Sequence, residues 1–232
     1  MRFAVVQFGG SNCDLDAAHV LSHVCGVDTD LRWYKEGLGR NYDAVVIPGG
    51  FSYGDYLRAG AIAARTPVME EILRHAKGGG LVLGICNGAQ IAAESGLVPG
   101  TFTINAYPKF LCRPAHLRVE NNETPFTSLY REGEVIRLTI AHKEGRYMAE
   151  PEVLAALNRE KRAIFRFSDP EGRITEEVNH NGSAENITGV LGRGGNLLAM
   201  MPHPERASEE VLGSEDGKKI FLSMIRYIEA KG

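Results

Sequence analysis

An apolar run bounded by glycines, Gly80-Leu-Val-Leu-Gly-Ile85, stops at Cys86, and helix formers follow almost at once: Ala89, Gln90, Ile91, Ala92, Ala93 and Glu94. A run of that length and composition reads as a buried strand. A strand passing straight into a helix forces a sharp turn. The turn also commits the chain to a sheet with helices packed on it. Gly84-Ile-Cys-Asn-Gly88 has the Gly-x-nucleophile-x-Gly spacing of a nucleophile elbow, with Cys in place of Ser. Side chains at the two flanking positions would collide with neighbouring backbone. The turn leaves Cys86 at the carboxyl end of the sheet and at a helix N-terminus. There, free N–H groups and the helix dipole favour a negative sulfur.

The first half of the chain alternates strand and helix. Phe3–Phe8, Thr29–Tyr34 and Asp43–Ile47 read as strands. Asp14 to Cys25 reads as a helix with Ser11 or Asn12 as N-cap. A further helix is expected to begin near Tyr56–Ala59, and another runs from Pro67 to Lys77, where Gly78-Gly79-Gly80 stops it. This order predicts an α/β fold: a flavodoxin-like, mostly parallel sheet with helices on both faces. Ligands of such sheets bind beyond the carboxyl ends of the strands. The Gly9–Asp14 loop, the Gly49–Gly60 loop and Cys86 would share that edge.

The second half reads differently. Leu117–Glu120, Val135–Ile140, Ala163–Phe167 and Ile187–Leu191 are short strands separated by turns, which predicts an insertion of more antiparallel character. Leu197–Met201 is a last strand, and Asp216–Ala230 an amphipathic helix with Ile220, Phe221, Met224, Ile225 and Ile228 on its apolar face. The 232 residues suit one domain, 1–232, with a substantial core.

The last strand runs into Pro202-His203-Pro204-Glu205-Arg206. In an extended segment, residues two apart point to the same side. Glu205 can then hold one imidazole nitrogen of His203 while the other faces a substrate. Cys86, His203 and Glu205 would form a Cys-His-Glu triad. An elbow cysteine also occurs in stand-alone cysteine hydrolases on similar folds.

Composition narrows the remaining classes. Charged residues are 24% of the chain and the net charge is −3, which gives no reason to expect nucleic acid. No run of eighteen apolar residues exists, so no membrane span is expected, and the chain enters a strand with no leader pattern. The four cysteines, Cys13, Cys25, Cys86 and Cys112, are scattered, as suits reduced thiols in a cytoplasmic protein. His19 and His23 are spaced i, i+4 but lack a third ligand, so no metal is expected. Gly213–Lys219 has the wrong spacing for a phosphate loop, so no cofactor is expected on this chain.

Six segments carry a family resemblance: Gly9-Gly-Ser-Asn-Cys-Asp14, Pro48-Gly-Gly-Phe-Ser-Tyr-Gly-Asp-Tyr-Leu-Arg-Ala-Gly60, Gly84-Ile-Cys-Asn-Gly-Ala-Gln90, Ile140-Ala-His-Lys-Glu-Gly-Arg-Tyr147, Asn179-His-Asn-Gly-Ser183 and Met201-Pro-His-Pro-Glu-Arg206. The chain resembles the triad (class I) glutamine amidotransferases, and within them the glutaminase subunits of phosphoribosylformylglycinamidine synthase. Lys143, Ala89 and His180 stand where that pattern usually has glycine, a larger apolar residue and proline. The resemblance implies that Cys86 attacks the side-chain amide of L-glutamine. It also implies an oxyanion hole from backbone N–H groups of Asn87 and of Gly50 or Phe51, and substrate contacts from Gln90 and His142. The ammonia would pass to a large synthetase subunit that uses ATP and Mg. A small accessory subunit would complete the complex.

Overall fold

The computed structural model describes residues 1–231. The elements run β1 (Arg2–Gln7), α1 (Asp14–His19), β2 (Asp28–Trp33), β3 (Ala44–Ile47), α2 (Pro67–Lys77), β4 (Leu81–Ile85), α3 (Asn87–Glu94), β5 (Thr101–Thr103) and β6 (Leu111–Val119). They continue with β7 (Val135–His142), β8 (Arg146–Met148), α4 (Pro151–Arg159), β9 (Ala163–Ser168), β10 (Ile187–Leu191), β11 (Leu197–Met200) and α5 (Lys218–Glu229). One nine-stranded sheet has the order β2-β1-β3-β4-β11-β10-β9-β6-β7, and β5 pairs with β8 apart from it. Neighbours from β2 to β11 are parallel, and those from β11 to β7 antiparallel. The antiparallel half foreseen in the sequence therefore extends the main sheet.

Burial follows from position in that sheet. Every residue of β3 and β4 is buried, as a parallel strand covered on both faces requires. The edge strand β2 has none buried. α1 packs on β1 and β2, α2 on β4, and α3 on β3, β4 and β11. Buried side chains from both halves of the sheet form one core, from Phe3 and Val45 to Phe165 and Phe167.

Two local expectations are corrected. No helix forms at Tyr56–Ala59; a turn with left-handed backbone occupies Ser52–Asp55, and a short 3-10 turn Ala63–Arg65. Tyr53, Asp55 and Leu57 have φ of 54°, 55° and 70°, backbone that a right-handed helix cannot contain. The residue capping α1 is Cys13, with no side-chain capping bond. Ser11 Oγ instead accepts from the Phe8 N–H, and Asn12 Oδ1 faces Cys13 Sγ at 3.2 Å. The sequence reading also passed over α4, although Pro151 at its first turn is a start signal, and over β5 and β8, which are too short for periodicity.

The elbow glycines are required by close approach. A Cβ at Gly88 would overlap the Ile47 carbonyl oxygen, and one at Gly84 would come within 2.7 Å of the Gly88 carbonyl oxygen. Gly88→Ala should therefore cost about 3 kcal/mol or more, read as a drop in denaturant midpoint, because α3 must lift off β3. An unchanged midpoint would show that the elbow has room to spare.

Candidate active site

Pairing register assembles the site. β4 and β11 are adjacent and parallel, with Ile85 opposite Met200. The residues that follow the two strands therefore emerge together. Cys86 N–H donates to the Met200 carbonyl at 2.8 Å. Cys86 has φ 50° and ψ −105°, a strained conformation for a residue with a Cβ, and it heads α3. Beyond β11, His203 N–H donates to the Thr139 carbonyl of β7 at 2.8 Å. The neighbouring Ala141 carbonyl lies 3.6 Å from Cys86 Sγ.

His203 Nδ1 lies 2.5 Å from Glu205 Oε1, and the two side chains are 1% and 0% exposed. The reach-back uses a 3-10 turn at Pro204–Ala207, where the sequence reading had an extended segment. Burial alone would push the His203 pKa down. The Glu205 carboxylate, helped by Cys86 and Cys13, outweighs it and holds the imidazole well above the usual histidine value. Gly49 floors the cleft. A Cβ there would meet His203 Cε1 at 2.8 Å, Cys13 Sγ at 3.1 Å and Cys86 Cβ at 3.4 Å. Any side chain at position 49 would fill the gap between thiol and imidazole.

The expected oxyanion donors fare unequally. Asn87 is the first residue of α3, so its N–H has no acceptor within the helix. Phe51 N–H donates to the Gly10 carbonyl at 2.9 Å, which takes it out of the donor set in this conformation. Gly50 has φ 151° and is crowded by Ser11 Cα at 2.7 Å, so glycine alone fits this turn. The side chains of the elbow helix tie the surrounding loops together. Ser52 N–H donates to Asn87 Oδ1 at 3.1 Å, and Asn87 Nδ2 to Gln90 Oε1 at 2.9 Å. Gln90 Nε2 donates to the Glu144 carbonyl at 2.7 Å.

His142 is buried, and its Nε2 accepts from Asn181 Nδ2 at 3.1 Å. Burial, then the nearby His203 and His180, pushes its pKa down to about 3, so it is a neutral ring. Asn181 also donates to the Gly145 carbonyl at 2.7 Å, and Asn105 receives the Gly145 N–H at 3.0 Å. The two asparagines thus hold the turn that follows His142. Asn179–Ser183 is one of the six segments that carry the resemblance, whereas Asn105 lies in none of them. Lys143 needs no glycine backbone, being absent from the left-handed residues, and its carbonyl accepts from Asn105. His180 packs edge-on against Phe167, with ring centroids 5.1 Å apart.

Cys13 is buried beside the dyad. Arg206 Nη2 donates to its sulfur at 3.0 Å. Its place in the loop facing the active edge was the one clue. His19 and His23 stack with centroids 5.2 Å apart, and His19 meets Glu209 at 2.9 Å.

Comparison with known proteins places this site in a family. Residues 1–228 match the model of the CobB/CobQ-like glutamine amidotransferase domain. A phosphoribosylformylglycinamidine synthase subunit PurQ of Methanosarcina acetivorans is 56% identical over 228 residues, 98% of each chain. The chain belongs to the PurQ family. A PurQ of Pyrococcus horikoshii is 52% identical over 99% of each chain. The solved structure of PurLQS from Thermotoga maritima superposes with a TM-score of 0.87 at 44% identity, over 98% of both chains. A putative GMP synthase subunit of Thermoplasma acidophilum, 19% identical with a TM-score of 0.63, shares the fold. The PurQ matches span both the parallel and the antiparallel halves of the sheet.

Proposed function

We propose that this chain is the glutaminase subunit of a phosphoribosylformylglycinamidine synthase in purine biosynthesis, working in the cytoplasm. One observation carries the reading. In a PurQ-family chain, the β4–β11 register brings an elbow cysteine against a buried His203–Glu205 dyad. Cys86 sulfur attacks the side-chain amide carbon of glutamine, and the amide oxygen becomes an oxyanion facing the Asn87 N–H. A donor of that kind is worth on the order of 10²–10³ in turnover. His203, protonated, gives its proton to the departing ammonia and leaves a γ-glutamyl thioester on Cys86. It then takes a proton from the water that releases glutamate. Glu205 fixes the ring and offsets its charge.

The second oxyanion donor must come from the Gly50–Phe51 segment. Phe51 N–H leaves the Gly10 carbonyl only if that segment turns over. Tyr53, Asp55 and Leu57 store strain next to it, of about 1–3 kcal/mol each. Docking of the large synthetase subunit drives this change, so the subunit alone turns over slowly. The synthetase supplies ATP and Mg and consumes the ammonia to convert formylglycinamide ribonucleotide to the amidine; a small accessory subunit completes the assembly. Tyr56, Leu57, Ile104, Tyr107 and Phe110 stand exposed, and Phe51 lies 6.2 Å from Phe110 between ring centroids. Apolar side chains exposed in this way are surface that a partner would cover.

The test is ammonia release from free glutamine by the chain alone and with a synthetase subunit and ATP. Activity should rise at least tenfold with the partner and should not extend to γ-glutamyl peptides. Turnover indifferent to the partner would favour a stand-alone hydrolase. Leu57, 91% exposed, gives a second handle. Leu57→Asp should weaken synthetase binding tenfold or more by titration calorimetry, with the slow turnover of the free chain retained. Wild-type affinity would place the interface elsewhere.

A further inference from the structure

Phe51 and Tyr53 are tied to one turn of the neighbouring loop. Phe51 N–H donates to the Gly10 carbonyl at 2.9 Å, and Tyr53 N–H to the Gly9 carbonyl at 2.7 Å. Gly54 N–H closes on the Phe51 carbonyl at 2.8 Å, so residues 51–54 form one closed turn. Phe51 therefore cannot leave Gly10 unless Tyr53 shifts with it. Tyr53 has φ 54° and ψ 29°, left-handed backbone that is costly for a residue with a Cβ. Its ring supplies the hold. It meets Tyr34 edge-on, with centroids 5.7 Å apart. Tyr34 in turn stacks on Phe8 at 5.8 Å and meets Trp33 at 4.9 Å. β1 and β2 pair in register up to Gln7 and Trp33, so Phe8 and Tyr34 leave the sheet side by side. Burial, then the adjacent Tyr34 hydroxyl, raises the Tyr53 pKa, so this phenol stays neutral in the aromatic row.

We propose that Tyr34 is a positioning residue: through the Tyr53 ring it locks the oxyanion segment in its idle form until the synthetase docks. The lock rests on the function proposed above and names the contact that regulates that site. The far end of the loop is fixed as well. Arg58 grips Glu94 of α3 through Nε at 2.6 Å and Nη2 at 2.5 Å, and Ala59 N–H donates to Glu144 Oε2 at 3.3 Å. Tyr56 and Leu57 stand exposed between the two fixed points. A partner that covers them pulls on the turn that carries Tyr53. A contact made only in the idle form sets how rarely the free chain visits the competent one. Removing that contact shifts the balance without touching Cys86, His203 or the glutamine pocket.

Glutamine hydrolysis by the full chain is measured alone and with a saturating synthetase subunit and ATP. Tyr34→Ala should raise kcat of the chain alone by about fivefold or more, because the competent form becomes better populated. KM should stay within about twofold, since the oxyanion donor acts in the transition state and not on bound substrate. The assembled rate should stay within about twofold of wild type, so stimulation by the partner shrinks by the factor the free chain gains. Tyr53→Ala should behave alike, and the double variant should match either single one, because both remove one contact. Tyr34→Phe keeps the ring and should restore most of the stimulation. A merely structural role would lower the free and assembled rates together. That result, or an unchanged free rate in both alanine variants, overturns the lock. If the alanine variants do not fold, Tyr34→Leu and Tyr53→Leu decide by the same readouts. A wild type that the partner does not stimulate withdraws the partner-driven reading and the lock with it. A stimulated wild type with unresponsive variants refutes the lock alone.

Discussion

Cys86→Ala is expected to abolish release of ammonia from glutamine, a loss on the order of 10⁴–10⁶ in turnover, while synthesis fed with free ammonia by the assembled enzyme continues near the wild-type rate. Removing the nucleophile of a triad costs about as much as removing the whole triad, because the remaining groups have no bond-forming partner. The site offers no substitute. Cys13 is the other sulfur facing Gly49, but it is held by Arg206 and caps α1, not α3, whose first N–H is that of Asn87. The variant should also fold. Alanine at position 86 keeps the strained backbone and the N–H bond to Met200, and removes one sulfur whose contacts are with His203 and, at 3.6 Å, the Ala141 carbonyl. Two assays separate the halves of the reaction: glutamate formation, and amidine formation from ammonium salts. Loss of both activities would point to a misfolded or unassembled subunit. Residual glutamine-dependent activity above a thousandth of wild type would move the nucleophile elsewhere, with Cys13 the first to test.

The site was legible in the sequence because its parts are local. Gly84-Ile-Cys-Asn-Gly88 encodes a turn whose two glycines meet backbone at Ile47 and Gly88 itself, and His203-Pro-Glu205 encodes a dyad within one turn. That the two meet depends on β11 pairing beside β4, a long-range choice that no local pattern states. What stayed hidden was also non-local. Cys13 comes beside His203 from 190 residues away in sequence, and nothing in Gly9–Asp14 alone says that Arg206 will reach its sulfur at 3.0 Å. The Tyr56–Ala59 segment reads as a helix start, yet Leu57 stands at φ 70°, a conformation that leucine rarely adopts and that no local pattern announces. The loop adopts it because tertiary contacts, such as Ser52 to Asn87, hold both ends.

Glu205→Gln should lower kcat by about 10²–10⁴ and move the alkaline limb of the pH profile to lower pH. Glutamine keeps the shape of the side chain but not its charge. Its amide can also present an N–H to Nδ1, which would turn the ring to the wrong tautomer. The direction of the pH change follows from the balance of forces on His203. Burial pushes that ring toward the neutral form, and the Glu205 carboxylate is the main opposing influence. Without it, burial prevails and the folded-state pKa of His203 falls. The protonated ring is the acid that meets departing ammonia, so activity is lost as pH rises through that pKa. A lower pKa brings the loss to lower pH. The profile of kcat/KM for glutamine, measured in the presence of the synthetase, reads this limb directly. A purely structural role for Glu205 would reduce the whole profile in proportion and leave its limbs in place. A shift to higher pH would mean that the limb belongs to another group, and that His203 does not act as the acid. Glu205→Asp discriminates further: the charge returns on a shorter side chain, so the limb should move back toward its wild-type position even where kcat stays low.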